Sequence, residues 1–197
     1  MKDKTREKLK YLIGRVVRIV SIPPLMAALL IAALALKGVF SEKKSVLMLF
    51  LFLCVFPVLA YPISYVVPIW RRNGREAQRA IAFVMTALGY IAGFIYAAFF
   101  GKDKTALFIQ SVYLFSVIIL LVFNKLLKLR ASGHGCSVTG PVVIGMAYMG
   151  FPGMAVGLIL YGIVFWASIV TKRHTVSEFL LGTASCCAAF LIALICR

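Results

Sequence analysis

The chain reads as an all-α protein: a polytopic membrane bundle of about six to seven transmembrane helices, entered through a short amphipathic helix. Three observations predict this. Of 197 residues, 62% are hydrophobic, and the mean hydropathy is +0.99. Only 14% are charged, where about 25% is usual for a soluble domain. The charges also collect between apolar stretches of about 20 residues, the length a helix needs to cross the hydrocarbon at 1.5 Å per residue.

The elements follow in order. Residues 1–18 carry seven basic side chains (Lys2, Lys4, Arg6, Lys8, Lys10, Arg15 and Arg18). Leu9, Leu12, Ile13, Val16 and Val17 recur among them at helical spacing. This predicts a helix lying on the membrane surface and running into the first span. A cleaved signal peptide is the weaker reading, because Pro23-Pro24 looks like a kink and not a processing site. Apolar segments follow at 19–38, 46–69, 80–100, 106–127, 137–150, 154–171 and 178–196. Pro57, Pro62 and Pro68 should bend the second. The 137–150 segment is short and ends in Gly150-Phe151-Pro152-Gly153. It pairs with 154–171 as a helical hairpin whose first arm is tilted or stops short of a full span. Gly153 and Gly157 form a small-xxx-small pair, which predicts close helix packing. Residues 1–197 form one membrane domain with no room for a separate soluble one.

Charge sets topology and excludes some functions. The net charge is +16, from 22 Lys and Arg against 6 acids. With seven spans, sixteen of the cations fall on one side: the N-terminal segment, Arg71, Arg72, Arg75, Arg79, Lys125, Lys128, Arg130, Lys172 and Arg173. Lys37, Lys43, Lys44, Lys102, Lys104 and Arg197 fall on the other. The positive-inside rule puts the first side in the cytoplasm, here of a prokaryotic plasma membrane. Such cations meet anionic lipid headgroups. They form no continuous face, so nucleic acid is not an expected partner. The five cysteines, Cys54, Cys136, Cys186, Cys187 and Cys196, show no metal-ligand spacing.

Two polar islands interrupt the apolar chain and hold its only two histidines: Arg130-Ala131-Ser132-Gly133-His134-Gly135 and Lys172-Arg173-His174-Thr175-Val176-Ser177-Glu178. If 137–150 and 154–171 are a hairpin, both islands return to one membrane face. His174 and Glu178 are four apart and share a helix face. A carboxylate there fixes the imidazole tautomer and raises the basicity of the far nitrogen, which can then attack phosphorus. Ser132 and Gly133 precede an apolar helix, so their N–H groups could face an anion. His134 would be placed to protonate a leaving alcohol. Lys125, Lys128, Arg130, Lys172 and Arg173 supply positive charge for phosphoryl oxygens. The bland alternative is that such residues simply reach toward headgroups.

These residues resemble the type-2 phosphatidic acid phosphatase superfamily of integral membrane lipid phosphatases. The resemblance covers about residues 125–182. It is carried by Ala131-Ser132-Gly133-His134, by Arg173-His174-Thr175-Val176-Ser177-Glu178 and by the paired apolar helices between them. The resemblance implies that His174 is the nucleophile forming a phosphohistidine and that Glu178 orients it. It further implies that His134 is the general acid, and that Ser132, Gly133, Arg130 and a nearby lysine hold the phosphate. The chain departs from the family at three places. The family aspartate is Glu178. The arginine expected six residues before the histidine is Ser168. Lys125, Lys128 and Arg130 run almost directly into Ser-Gly-His.

The expected function is hydrolysis of a phosphate ester on a membrane lipid or isoprenoid, on the cytoplasmic side, with no metal or other cofactor implied. Two rivals stand beside it. One is a catalytically inactive protein that binds lipid phosphates. The other is a small transporter, disfavoured because almost no ionisable group falls within the apolar segments.

Overall fold

A computed structural model describes residues 2–66 and 74–197. Pro68, Arg71 and Arg72 lie outside the described residues, as do the side chains of Arg75 and Arg79. Every element described is helical: α1 (Lys2–Val20), α2 (Pro23–Leu36), α3 (Lys43–Phe50), α4 (Phe56–Val66), α5 (Gly74–Phe99), α6 (Lys104–Leu121), α7 (Gly133–Val170) and α8 (Val176–Ile195). Among these residues, five helical stretches are long and apolar enough to cross a membrane: Lys43–Val66, Ala80–Phe99, Lys104–Leu126, Gly133–Val170 and Val176–Ile195. The bent pair α1–α2 passes the same test together. The protein is therefore an all-α integral membrane bundle. Its outer surface agrees, since Leu158, Ile159 and Ile163 of α7 and Leu191, Ile192 and Ile195 of α8 are all exposed. Side chains of this kind face lipid without cost, while helices satisfy their own backbone groups.

The first apolar segment, 19–38, is broken where Pro23-Pro24 predicts a kink. The chain breaks at Ser21-Ile22, because Pro23 and Pro24 open α2 and the residue before a proline is driven to extended backbone. Ile22 has ψ 149°, and α1 meets α2 at 62°. The 14 residues of α2 rise only about 21 Å, so the first span is short. On α1, Leu9, Leu12, Val16, Ile19 and Val20 stay exposed along one face. That is the apolar stripe a surface helix lays into the membrane boundary.

In the second segment, α3 passes through a π-helical turn at Leu51–Val55 into α4. Pro57 follows directly and has no N–H to give the preceding turn. Helix α6 is capped by Asp103, whose carboxylate accepts from Thr105 N at 2.9 Å and Ala106 N at 3.2 Å. It ends in a second π-helical turn, Val122–Leu126. Its buried side chains, among them Phe108, Ile109, Val112 and Tyr113, form much of the core with Leu30, Ile31, Leu34, Leu53 and Ile144.

Helix α7 is two arms. Gly150 has φ 67° and ψ −152°, outside any helical region. This backbone is essentially open only to glycine. Beyond it the chain turns back: a Cβ on Gly157 would lie 2.7 Å from Val142 Cα, and one on Gly145 would lie 3.1 Å from the Gly153 carbonyl. In a straight helix residues 142 and 157 would be about 22 Å apart. Gly153 and Gly157 thus pack where the small-xxx-small pair predicts. The hairpin returns residue 170 to the end where residue 133 began. Met26 of α2, Val138 and Val164 of the two arms, and Phe179 of α8 close the core there.

Candidate functional site

The hairpin places the two islands against each other at one end of the bundle, and local chemistry locks them. Ser132 N donates to the Glu178 carbonyl at 2.8 Å. Small residues allow the approach: Gly182 sits directly beneath the Ser132 carbonyl, and a Cβ on Gly135 would lie 2.5 Å from the Phe179 carbonyl. Arg130 Nη1 lies 3.5 Å from Glu178 Oε1.

Glu178 has three roles at this junction. Thr175 is the N-cap of α8, its hydroxyl accepting from Glu178 N at 3.2 Å. Glu178 Oε2 accepts from Thr175 N at 3.2 Å in return, closing a capping box. The same oxygen accepts from His174 Nδ1 at 3.1 Å. The other oxygen meets Arg130. The Thr-x-x-Glu spacing signals the box in the sequence, though the reading from the residues above used Glu178 only as the histidine's partner. His174 sits in the short loop between α7 and α8. Burial lowers its pKa from the ordinary 6.5; the Glu178 hydrogen bond opposes this, and the Arg18 charge adds to it. The ring is therefore neutral at pH 7. With Nδ1–H given to Glu178, Nε2 carries the lone pair.

His174 lines a cavity of about 1070 Å³. Its wall also holds His134, Thr171, Tyr11, Tyr61 and five cations: Arg15, Arg18, Arg130, Lys172 and Arg173. Two of those cations come from α1, which the sequence reading left on the membrane surface. Gly14 makes the docking possible, since a Cβ there would lie 3.1 Å from Thr171 Cγ2. Arg18 Nη1 then donates to Thr171 Oγ1 at 3.3 Å. The sequence signal is the spacing of Tyr11, Arg15 and Arg18, which form one stripe on a helix.

The remaining residues singled out from the sequence are distributed as follows. His134 Nε2 donates to the Arg18 carbonyl at 3.3 Å, which makes Nε2 the protonated nitrogen. Ser132 is fully buried and caps α7, its hydroxyl accepting from Gly135 N at 3.2 Å. Gly133 faces a second, apolar cavity next door. Neither Ser132 nor Gly133 lines the basic cavity. Lys125 lies in the π-helical turn and Lys128 has φ 54°. Both are exposed on the approach to Arg130 and away from the cavity wall. Ser168, where the resembled family carries an arginine, is fully buried. Its carbonyl accepts from Arg173 N at 3.3 Å. The arrangement gathers Arg130, His134, Lys172, Arg173 and His174 around one space, with Glu178 behind His174.

Chemically, this is a water-accessible basin of positive charge holding one neutral imidazole with a fixed tautomer and an open nitrogen. Such a basin concentrates phosphate dianions and stabilises charge on phosphoryl oxygens. The chain matches no protein-family model, no curated protein and no solved structure.

Proposed function

We propose that the protein is a membrane phosphatase that hydrolyses a lipid or isoprenoid phosphate ester through a phosphohistidine. The observation that carries this reading is His174: Nδ1 held by Glu178 at 3.1 Å, in the wall of a cavity that also holds five cations. In the first step His174 Nε2 attacks phosphorus, the P–N bond forms and the ester P–O bond breaks. The departing oxygen needs a proton. His134 is the second imidazole at the cavity: a proton taken up from water at Nδ1 makes it the imidazolium acid, and its Nε2–H then leaves the Arg18 carbonyl and passes to the departing oxygen, so that His134 ends neutral. In the second step water attacks the phosphohistidine, the P–N bond breaks and inorganic phosphate leaves. Arg15, Arg18, Lys172 and Arg173 neutralise the phosphoryl oxygens throughout. With Ser168 buried, α1 is the source of the guanidinium groups that the resembled family takes from that position. The positive-inside bias supports a cytoplasmic location for the basin.

The test is phosphate release from phosphatidic acid or a prenyl phosphate by purified protein in detergent. His174→Ala should abolish turnover, and His134→Ala should slow it by roughly 10²–10⁴-fold, the range for a lost general acid. Turnover that survives His174→Ala refutes the nucleophile. A second reading, a non-catalytic binder of lipid phosphates, is favoured by Arg130 being held to Glu178 and Ser132 being used as a cap. Under that reading the wild type binds phosphate lipids and releases no phosphate from any of them.

A further inference from the structure

A second cavity of about 380 Å³ lies beside the basic one, deeper in the bundle. Its wall is largely apolar and includes Pro23 of α2, Pro57 of α4, Phe83 of α5, Val117 of α6 and Gly140 of α7. Ile22 and Tyr61 line both cavities. The two spaces therefore adjoin across this pair, one basic and one hydrocarbon-like. Two hydroxyls in the second wall do not suit hydrocarbon, those of Ser116 and Tyr113, both buried without a hydrogen-bond partner. Tyr113 is only 5% exposed, and its hydroxyl lines this space without a hydrogen-bond partner. A Cβ on Gly140 would lie 3.4 Å from that hydroxyl. Gly140 stands six residues past His134 on the first arm of α7, about 9 Å along the axis. A buried donor left unpaired is costly, and a ligand oxygen at that depth would relieve the cost.

We propose that the second cavity is a tail site for a phosphate ester with a single acyl chain. The phosphate sits in the basic cavity, the chain passes Ile22 and Tyr61, and an ester carbonyl below the phosphate accepts from Tyr113. The head-group half of this inference rests on the phosphate-binding reading above. Size selects one chain: at roughly 30 Å³ per methylene-sized group, 380 Å³ holds about a dozen groups. A two-chain lipid needs more space. A prenyl phosphate carries no oxygen below its phosphate and leaves Tyr113 unpaired.

A monoacylglycerol phosphate with a diazirine at mid-chain tests this on the full-length protein in detergent, with adducts mapped by mass spectrometry. The label should fall on cavity residues around Val117 and Gly140. Unlabelled monoacylglycerol phosphate should compete about tenfold better than farnesyl phosphate, the ratio expected for one hydrogen bond, and better than a two-chain phosphatidate, whose second chain the volume does not hold. Tyr113→Phe should erase that preference over farnesyl phosphate, and Gly140→Leu should remove the label by filling the space. Adducts on outward residues such as Ile118 or Leu158 overturn the tail site, as does equal competition by farnesyl phosphate. Labelling needs no turnover, so the two claims fail separately. Label in the cavity without phosphate release keeps the tail site and removes hydrolysis. Release with label outside does the reverse.

Discussion

At the scale of single residues, Glu178 decides most. Its carboxylate orients His174, closes the α8 cap and pairs with Arg130. Glu178→Gln keeps the size of the side chain but removes the charge. Phosphate release should fall steeply, by up to about 10⁴-fold, the loss when the carboxylate orienting a catalytic imidazole is neutralised, while α8 stays folded. Glu178→Ala also loses the cap, worth about 1 kcal/mol, so a thermal-unfolding comparison separates the two roles. The pH dependence has a definite sign. In the proposed mechanism neutral His174 is the attacking form, and its pKa lies below 6.5. The loss of rate from protonating His174 should therefore appear only below pH 6.5, while the need for a protonated His134 should make the rate fall on the alkaline side. In Glu178→Gln the hydrogen bond that raises this pKa is weakened, and the acid limb should move lower still; a pH–rate profile of kcat/KM checks both. His174 and Glu178 were legible in the sequence because their interaction is local, four residues apart on one chain segment. The capping role of the Ser132 hydroxyl was not legible there, because helix capping and phosphate binding ask for the same residue type at the same place.

At the scale of elements, two glycine contacts hold the basin together. Gly182→Ala would press a methyl group into the Ser132 carbonyl and push the islands apart. Turnover should drop sharply while the bundle keeps its helical circular dichroism. Gly14→Val should lift α1 from Thr171 and Ala167, taking Arg15 and Arg18 out of the cavity. The expected result is a raised KM for the phosphate substrate with a smaller change in kcat, measured by initial-rate kinetics. The hairpin was legible because Gly150-Phe151-Pro152-Gly153 combines turn residues with a short first arm. The docking of α1 was not, because a basic amphipathic stripe before a span has an equally good use at the headgroups. The contact at Gly14 and the hydrogen bonds of Arg18 with Thr171 and His134 distinguish the two, and pairings this far apart along the chain carry no such message in the local sequence.

At the scale of the whole molecule, the basin belongs to one end of the bundle and its charge acts over distance. Five cations around one cavity attract a dianion most at low ionic strength, so KM should rise with salt as the screening length shortens. Orientation is checked from outside intact cells with an impermeant maleimide. Lys125→Cys, at the end of the protein bearing the basin, should stay unmodified, and Lys102→Cys at the opposite end should react. The bundle itself was plain from composition and segment length, which depend on the solvent and little on detail. The joining of a basic and an apolar cavity was not, since it needs Ile22 and Tyr61, distant in sequence, to meet. The hairpin also bears on how the protein is made. Between Gly133 and Val170 the chain has no Lys, Arg, Asp or Glu, and its tip is Gly150-Phe151-Pro152-Gly153. Nothing strongly charged has to be carried through the bilayer when the two arms enter, so they can partition from the translocation machinery as a single pair. His134 and His174 then stay on one side of the membrane, brought together in the same act that inserts the helices between them.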